Sequence, residues 1–256
     1  MTLDLNAVRL GTGAHPLREN PTGDRDMCIM EAVALFAGEP WSDRPKCACP
    51  VVSGFLRLWN DRLPEKQRDR LLVPSVWVPK LINSRQNPDI EAQRTCLLLD
   101  WLVRTYAPAW LDLVPSLADE AAILRGLPEI DIDPVSLNNT HISQSLNRVR
   151  LTAEKAQRDA TAAAERARGS GSLFLPVSGA AHAVMSVTAG YATKDTVEGR
   201  IKTDMYWMAA GTAYAAAYIA ALSRVDPAPT VETLQQSVLD LLDRMLAVGQ
   251  RPLEDK

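Results

Sequence analysis

The stretch Thr140-His141-Ile142-Ser143-Gln144-Ser145-Leu146-Asn147-Arg148-Val149-Arg150-Leu151-Thr152-Ala153-Glu154-Lys155-Ala156-Gln157-Arg158-Asp159-Ala160-Thr161-Ala162-Ala163-Ala164-Glu165-Arg166-Ala167 decides the fold class. Within it, Ile142, Leu146, Val149, Ala153, Ala156, Ala160, Ala163 and Ala167 recur at spacings of 4, 3, 4, 3, 4, 3 and 4. That alternation keeps every one of them on a single helical face and predicts one long helix with a heptad seam. Thr140 stands where a cap belongs, and Gly169-Ser170-Gly171-Ser172 reads as the flexible turn that ends it. A seam of methyl groups buries little area per residue, so such a helix is worth burying only against a close partner.

Two more seams lie downstream. Val231, Leu234, Val238, Leu241, Met245 and Val248 are spaced 3, 4, 3, 4 and 3, after Asp226-Pro227-Ala228-Pro229. Thr230 caps this helix in the sequence reading, and Gly249 and Pro252 stop it. Met205, Ala209, Thr212, Ala216 and Ile219 form the third seam. Three seams predict an antiparallel, alanine-rich helical bundle over residues 129–256.

Upstream the composition changes. Five of the six tryptophans, at 41, 59, 77, 101 and 110, precede the Pro- and acid-containing connector Gly126–Pro134. Residues 1–128 therefore read as a separate tryptophan-rich helical module. Asp26 is placed to cap a helix running to Ala37, which Gly38 and Pro40 end. A second helix starts at Pro50 and runs to Asn60. Pro74 and Pro79 cut the following stretch into short pieces. Asn87-Pro88 opens a helix that reaches Tyr106, with Pro108 as its stop, and Asp119–Leu124 forms one more short helix. Period-two alternation is missing throughout, so the fold class expected is all-α.

The averages fit that class. The chain has 256 residues, 46% of them hydrophobic and 23% charged, with a formal net charge of −3 from 28 basic and 31 acidic residues. This balance speaks against a bulk nucleic-acid binder and against disorder. The first ten residues carry Asp4 and Arg9 and no apolar core, unlike a secretory leader. Tyr206–Leu222 is apolar but only 17 residues long and mostly alanine, so a buried helix is expected rather than a membrane span. Four cysteines are too few for a disulfide scaffold, which makes a cytoplasmic, reducing location the expectation.

Chemistry concentrates between Gly13 and Asp61. Three readings stand side by side. In the first, Cys28 is a nucleophile in the first turn of a helix, His15 is its base, and Glu31 or Asp43 orients the imidazole. In the second, Cys47 and Cys49, with Cys28 and His15, hold a zinc ion. In the third the cluster is structural: Asp24 and Asp26 cap a helix, Glu31 and Asp43 pair with Arg25, Arg44 or Arg57, and His15 hydrogen-bonds a loop. Gly11-Thr12-Gly13 lacks the strand and the Lys-Ser pair of a phosphate loop. His141 and His182 stand alone, and Cys96 among Leu97, Leu98 and Leu99 reads as core. Arg57, Arg62, Lys66, Arg68 and Arg70 alternate with Asp61, Glu65 and Asp69, the pattern of a solvated, ion-paired face.

Gly13-Ala14-His15, Asp26-Met27-Cys28-Ile29-Met30-Glu31-Ala32, Ser42-Asp43-Arg44-Pro45-Lys46-Cys47 and Leu56-Arg57-Leu58-Trp59-Asn60-Asp61 together resemble an uncharacterised alanine-rich family of actinobacteria and their phages. The resemblance covers roughly the first 115 residues, and a final segment similar to Leu239–Met245 is common to that family. It implies a grouping and no activity. The function expected from the residues is therefore an intracellular helical interaction or assembly protein without catalysis, acting through heptad-spaced helices on a protein partner or on its own copies. The alternative is a cysteine-dependent enzyme or zinc module built on residues 15–49.

Overall fold

The computed structural model describes residues 4–16, 22–131, 139–166, 180–181, 183–185, 187–188 and 228–250. Among these residues the fold is all-α, and the extended contact they contain is one isolated parallel bridge between Arg9 and Asp24. The chain divides into two compact units, Met1–Arg94 with Leu242–Lys256, and Thr95–Leu241. The boundary expected at 128/129 falls inside the second unit.

In the first unit, α1 (Ile29–Ala37), α2 (Pro50–Arg62), α3 (Glu65–Leu71) and α4 (Pro74–Leu81) are short and closed by identifiable signals. Pro50 and Pro74 occupy first-turn positions, where a missing N–H costs nothing. Gly38 takes a left-handed φ of 70° and ends α1, as its sequence position predicts. Pro79 sits inside α4 instead of breaking it. Every residue from Ile29 to Ala34 is buried, and α1 packs on both α2 and α4. Asp26 is not the cap expected of it. Its carboxylate turns back to accept hydrogen bonds from Thr22 N (2.7 Å), Thr22 Oγ1 (3.0 Å) and Gly23 N (3.1 Å), and Cys28 takes the cap position.

The last turn of the C-terminal helix belongs to this unit. Arg94, 1% exposed, donates to Met245 O (2.7 Å), Ser84 O (2.6 Å) and Val248 O (3.0 Å). A guanidinium thereby satisfies two carbonyls at the end of the C-terminal helix and one in the turn after α4.

In the second unit, α5 (Pro88–Trp101, begun in the first) continues through a π-turn at Leu102–Tyr106 into α6 (Ala107–Leu111). The helix therefore passes Pro108 rather than stopping there. The wide turn, where Ala107 N bonds Leu102 O, lies just where a proline ring would otherwise meet the Arg104 carbonyl. Trp101, Tyr106 and Trp110 pack in sequence, with ring centroids 5.4 and 6.3 Å apart. After α7 (Ala118–Arg125), the long α8 spans Thr140–Arg166 and packs on α7. Ile142, Leu146, Val149 and Ala153 are fully buried, as the seam requires. The final helix α9 spans Ala228–Ala247 and buries Leu234, Val238, Leu241 and Met245. The third seam, Met205–Ile219, the apolar stretch Tyr206–Leu222, Gly169–Ser172 and His182 lie outside the described residues. No helix among those described is long and apolar enough to cross a membrane.

Candidate functional site

The N-terminal segment is laid beside the entry to α1 by three backbone bonds. Arg9 N donates to Gly23 O (2.6 Å), Arg25 N to Arg9 O (2.8 Å) and Gly11 N to Met27 O (2.8 Å). This brings His15 over the N-terminus of α1, where Glu31 occupies the third helical position. Glu31 is 1% exposed and its carboxylate collects three donors. Oε1 accepts from His15 N at 2.6 Å, and Oε2 from His15 Nδ1 and Cys28 N, each at 2.8 Å. With Cys28 Sγ accepting from the Glu31 amide, this is a capping box made with a thiol in place of the usual hydroxyl. A carboxylate in that position also faces the positive end of the helix dipole.

The loop around His15 is held from its other side. Trp41 Nε1 donates to His15 O at 2.8 Å. Asp61 Oδ1 accepts from Gly13 N at 2.7 Å, and Asn60 Nδ2 donates to Gly11 O at 2.9 Å. Gly11 lies against the imidazole. A Cβ there would stand 2.4 Å from Arg25 O and 2.6 Å from His15 Nε2. Arg68 is the one member of the expected solvated basic run that is buried, at 5% exposure. Its guanidinium donates to Asn60 O (2.8 Å), Leu63 O (2.7 Å) and Leu10 O (3.2 Å). Burial without a directly bonded carboxylate holds its pKa below the ordinary arginine value.

His15, Glu31 and Cys28 therefore converge. The thiol is not prepared for nucleophilic work. Burial, followed by the neighbouring Glu31, pushes the Cys28 pKa far up, so the neutral thiol is favoured. Asp43 is engaged elsewhere, with Arg57 at 3.1 Å. Glu31 pairs with His15, and Arg25 binds Asp69 and Glu65.

Cys47 and Cys49 serve a different part of the unit. Cys47 O accepts from Arg85 N (3.0 Å), and Cys49 N, at the start of α2, donates to Ser84 Oγ (2.9 Å). The two cysteines thus brace the turn at Asn83, whose φ is 59°. Among the described residues no group of three His, Cys, Asp or Glu side chains is arranged to hold a metal ion. The four-ligand set of Cys28, His15, Cys47 and Cys49 is accordingly not assembled. Cys96 is core, and burial followed by the charge of Asp131 pushes its pKa up to about 11.

No protein-family model, no curated protein and no solved structure matches this chain. The site is read from its own geometry. Sequence reasoning grouped His15, Cys28 and Glu31 but missed Gly11, Trp41 and Arg68, whose roles depend on contacts distant in sequence. Asn60 and Asp61 closed the stretch singled out above, and both hold the His15 loop.

Proposed function

We propose that this is an intracellular helical assembly protein that associates through α8. The observation that carries this reading is the way burial falls along one helical face. Ile142, Leu146, Val149 and Ala153 are fully buried, whereas Ala156 and Ala160, next on the same line, are only part-buried. At 1.5 Å per residue, α8 is about 40 Å long. Among the described residues its seam thus continues, at Ala156 and Ala160, beyond the part that is fully buried. A stripe of small residues permits close approach by a second helix and gains little from water exposure. Off that line α8 balances its own charges, through Arg150–Glu154 and Lys155–Asp159 pairs four residues apart. Flanks of this kind keep a helix soluble while leaving the stripe as the adhesive face.

A second copy of the chain is the occupant tested first. Sedimentation velocity over a wide concentration range is expected to show reversible self-association. A double variant Ala156→Glu, Ala160→Glu is expected to remain monomeric with its helical content unchanged. A wild-type chain that stays monomeric at every concentration would contradict self-assembly through α8.

A further inference from the structure

We infer that His15 and Glu31 form a proton-transfer site, with Nε2 of His15 as the accepting atom. The inference is independent of the assembly reading and rests on how the atoms of the pair are used. Glu31 is buried, and both its oxygens are filled by N–H donors, so it presents a fixed carboxylate to the imidazole. The Nδ1 contact at 2.8 Å places the ring proton on Nδ1. That leaves Nε2 with its lone pair, and among the described residues no hydrogen bond to Nε2 is present. The ring side chain is 19% exposed. Gly11, which lies against the Cε1–Nε2 edge, has no side chain to cover it. The loop carrying His15 is pinned at its carbonyl by Trp41 and at Gly13 by Asp61, so the ring is positioned before any ligand arrives. A carboxylate bonded to one ring nitrogen orients an imidazole and stabilises the positive charge that forms when the other nitrogen takes a proton.

Glu31 lies behind the ring and Asp61 holds the adjacent Gly13 amide, while the Arg25 and Arg68 guanidiniums both donate to Leu10 O, next to Gly11, so both signs of charge flank the ring. The ligand class is therefore set by its acidic proton and not by its charge: a small molecule with an O–H or N–H to give. Cys28 is not the reacting group, because its sulfur is spent as the cap of α1 and its neutral form is favoured.

Two measurements on the full chain test this. Nitrogen-15 NMR of the histidines reads the tautomer directly. Recorded where the imidazole is neutral, the expected result is His15 protonated on Nδ1 and bare on Nε2; the opposite tautomer would overturn the inference. Diethyl pyrocarbonate then probes the bare nitrogen. The Nε2 lone pair attacks a carbonyl carbon and forms a C–N bond. The C–O bond to the ethyl carbonate group breaks, and the proton lost from Nδ1 is carried by solvent to that leaving group, which breaks down to carbon dioxide and ethanol. His141, exposed at the start of α8, is the internal reference. His15 is expected to be carbethoxylated several-fold faster than His141, with the advantage lost in Glu31→Gln. Equal or slower modification of His15 in the wild type would overturn the inference. So would an undiminished rate in a Glu31→Gln variant that keeps its fold.

Discussion

At the start of α1 a carboxylate of 1% exposure sits in the core with three N–H groups directed at it. In the first half of α8 the residues equally buried are Ile142, Leu146, Val149 and Ala153, and the ion pairs lie off that line. The first region is organised by buried polar groups that each join segments far apart in sequence: Glu31, Arg68 and Arg94. The second is organised by an apolar repeat that any short window reveals. Buried polar groups are costly unless every partner is present, so they fix one geometry and tolerate little. An alanine stripe is permissive and fixes a face rather than a partner.

This contrast can be broken by substitution. The largest effect is expected at Arg94. Arg94→Met leaves Met245 O, Ser84 O and Val248 O without their donor, and should cost roughly 3–5 kcal/mol of unfolding free energy. A denaturant midpoint close to wild type would show that those carbonyls find other partners. Leu146→Ala in the α8 seam should cost about 2–4 kcal/mol, set by how far the site collapses on the missing side chain. Its measurement by the same titration compares an apolar contribution with a polar one on one scale. Gly11→Ala comes next, at roughly 1–3 kcal/mol, because the added methyl meets a backbone oxygen at 2.4 Å as well as the His15 ring.

The smallest effect is a pH dependence. The Arg25 guanidinium bonded to Asp69 holds that carboxyl below the ordinary range, outweighing the opposing effect of partial burial. A carboxyl whose folded pKa is depressed stabilises the fold fully above its unfolded pKa. That contribution disappears as pH falls through the folded value. Stability measured through the acid range should therefore fall less steeply in Asp69→Asn than in the wild type. Equal slopes would show that the Arg25 pair contributes nothing to acid sensitivity.

The same contrast explains what the sequence disclosed. The all-α class, the α8 and α9 helices and the proline-started helices are local patterns, and the structure carries them; burial follows the α8 seam from Ile142 to Ala153 and the α9 seam from Leu234 to Met245, while Ala167 lies outside the described residues. Asp26 does not cap α1, because a carboxylate can cap a helix or close its own turn, and Thr22 and Gly23 offer the nearer donors. Pro108 does not stop its helix, because a π-turn, which has no signature in a single sequence, opens the helix just ahead of it. Arg68 sits in a run whose alternating charges describe a wet surface. Its burial depends on Leu10, 58 residues away, and on Asn60 and Leu63. The His15–Glu31–Cys28 grouping was visible from residue types alone. The spent thiol and the bare Nε2 were not, because they follow from which donor each oxygen and sulfur receives.

The claim that α8 is an adhesive face is tested most directly by substituting its two sides in turn. Leu151 is nine residues before Ala160, half a turn away around the helix, and 49% exposed. Sedimentation velocity on Ala160→Glu and on Leu151→Glu should give opposite results. The account predicts that Ala160→Glu abolishes self-association, while Leu151→Glu leaves it as in the wild type. Association unaffected by Ala160→Glu, or lost equally in both variants, would contradict it.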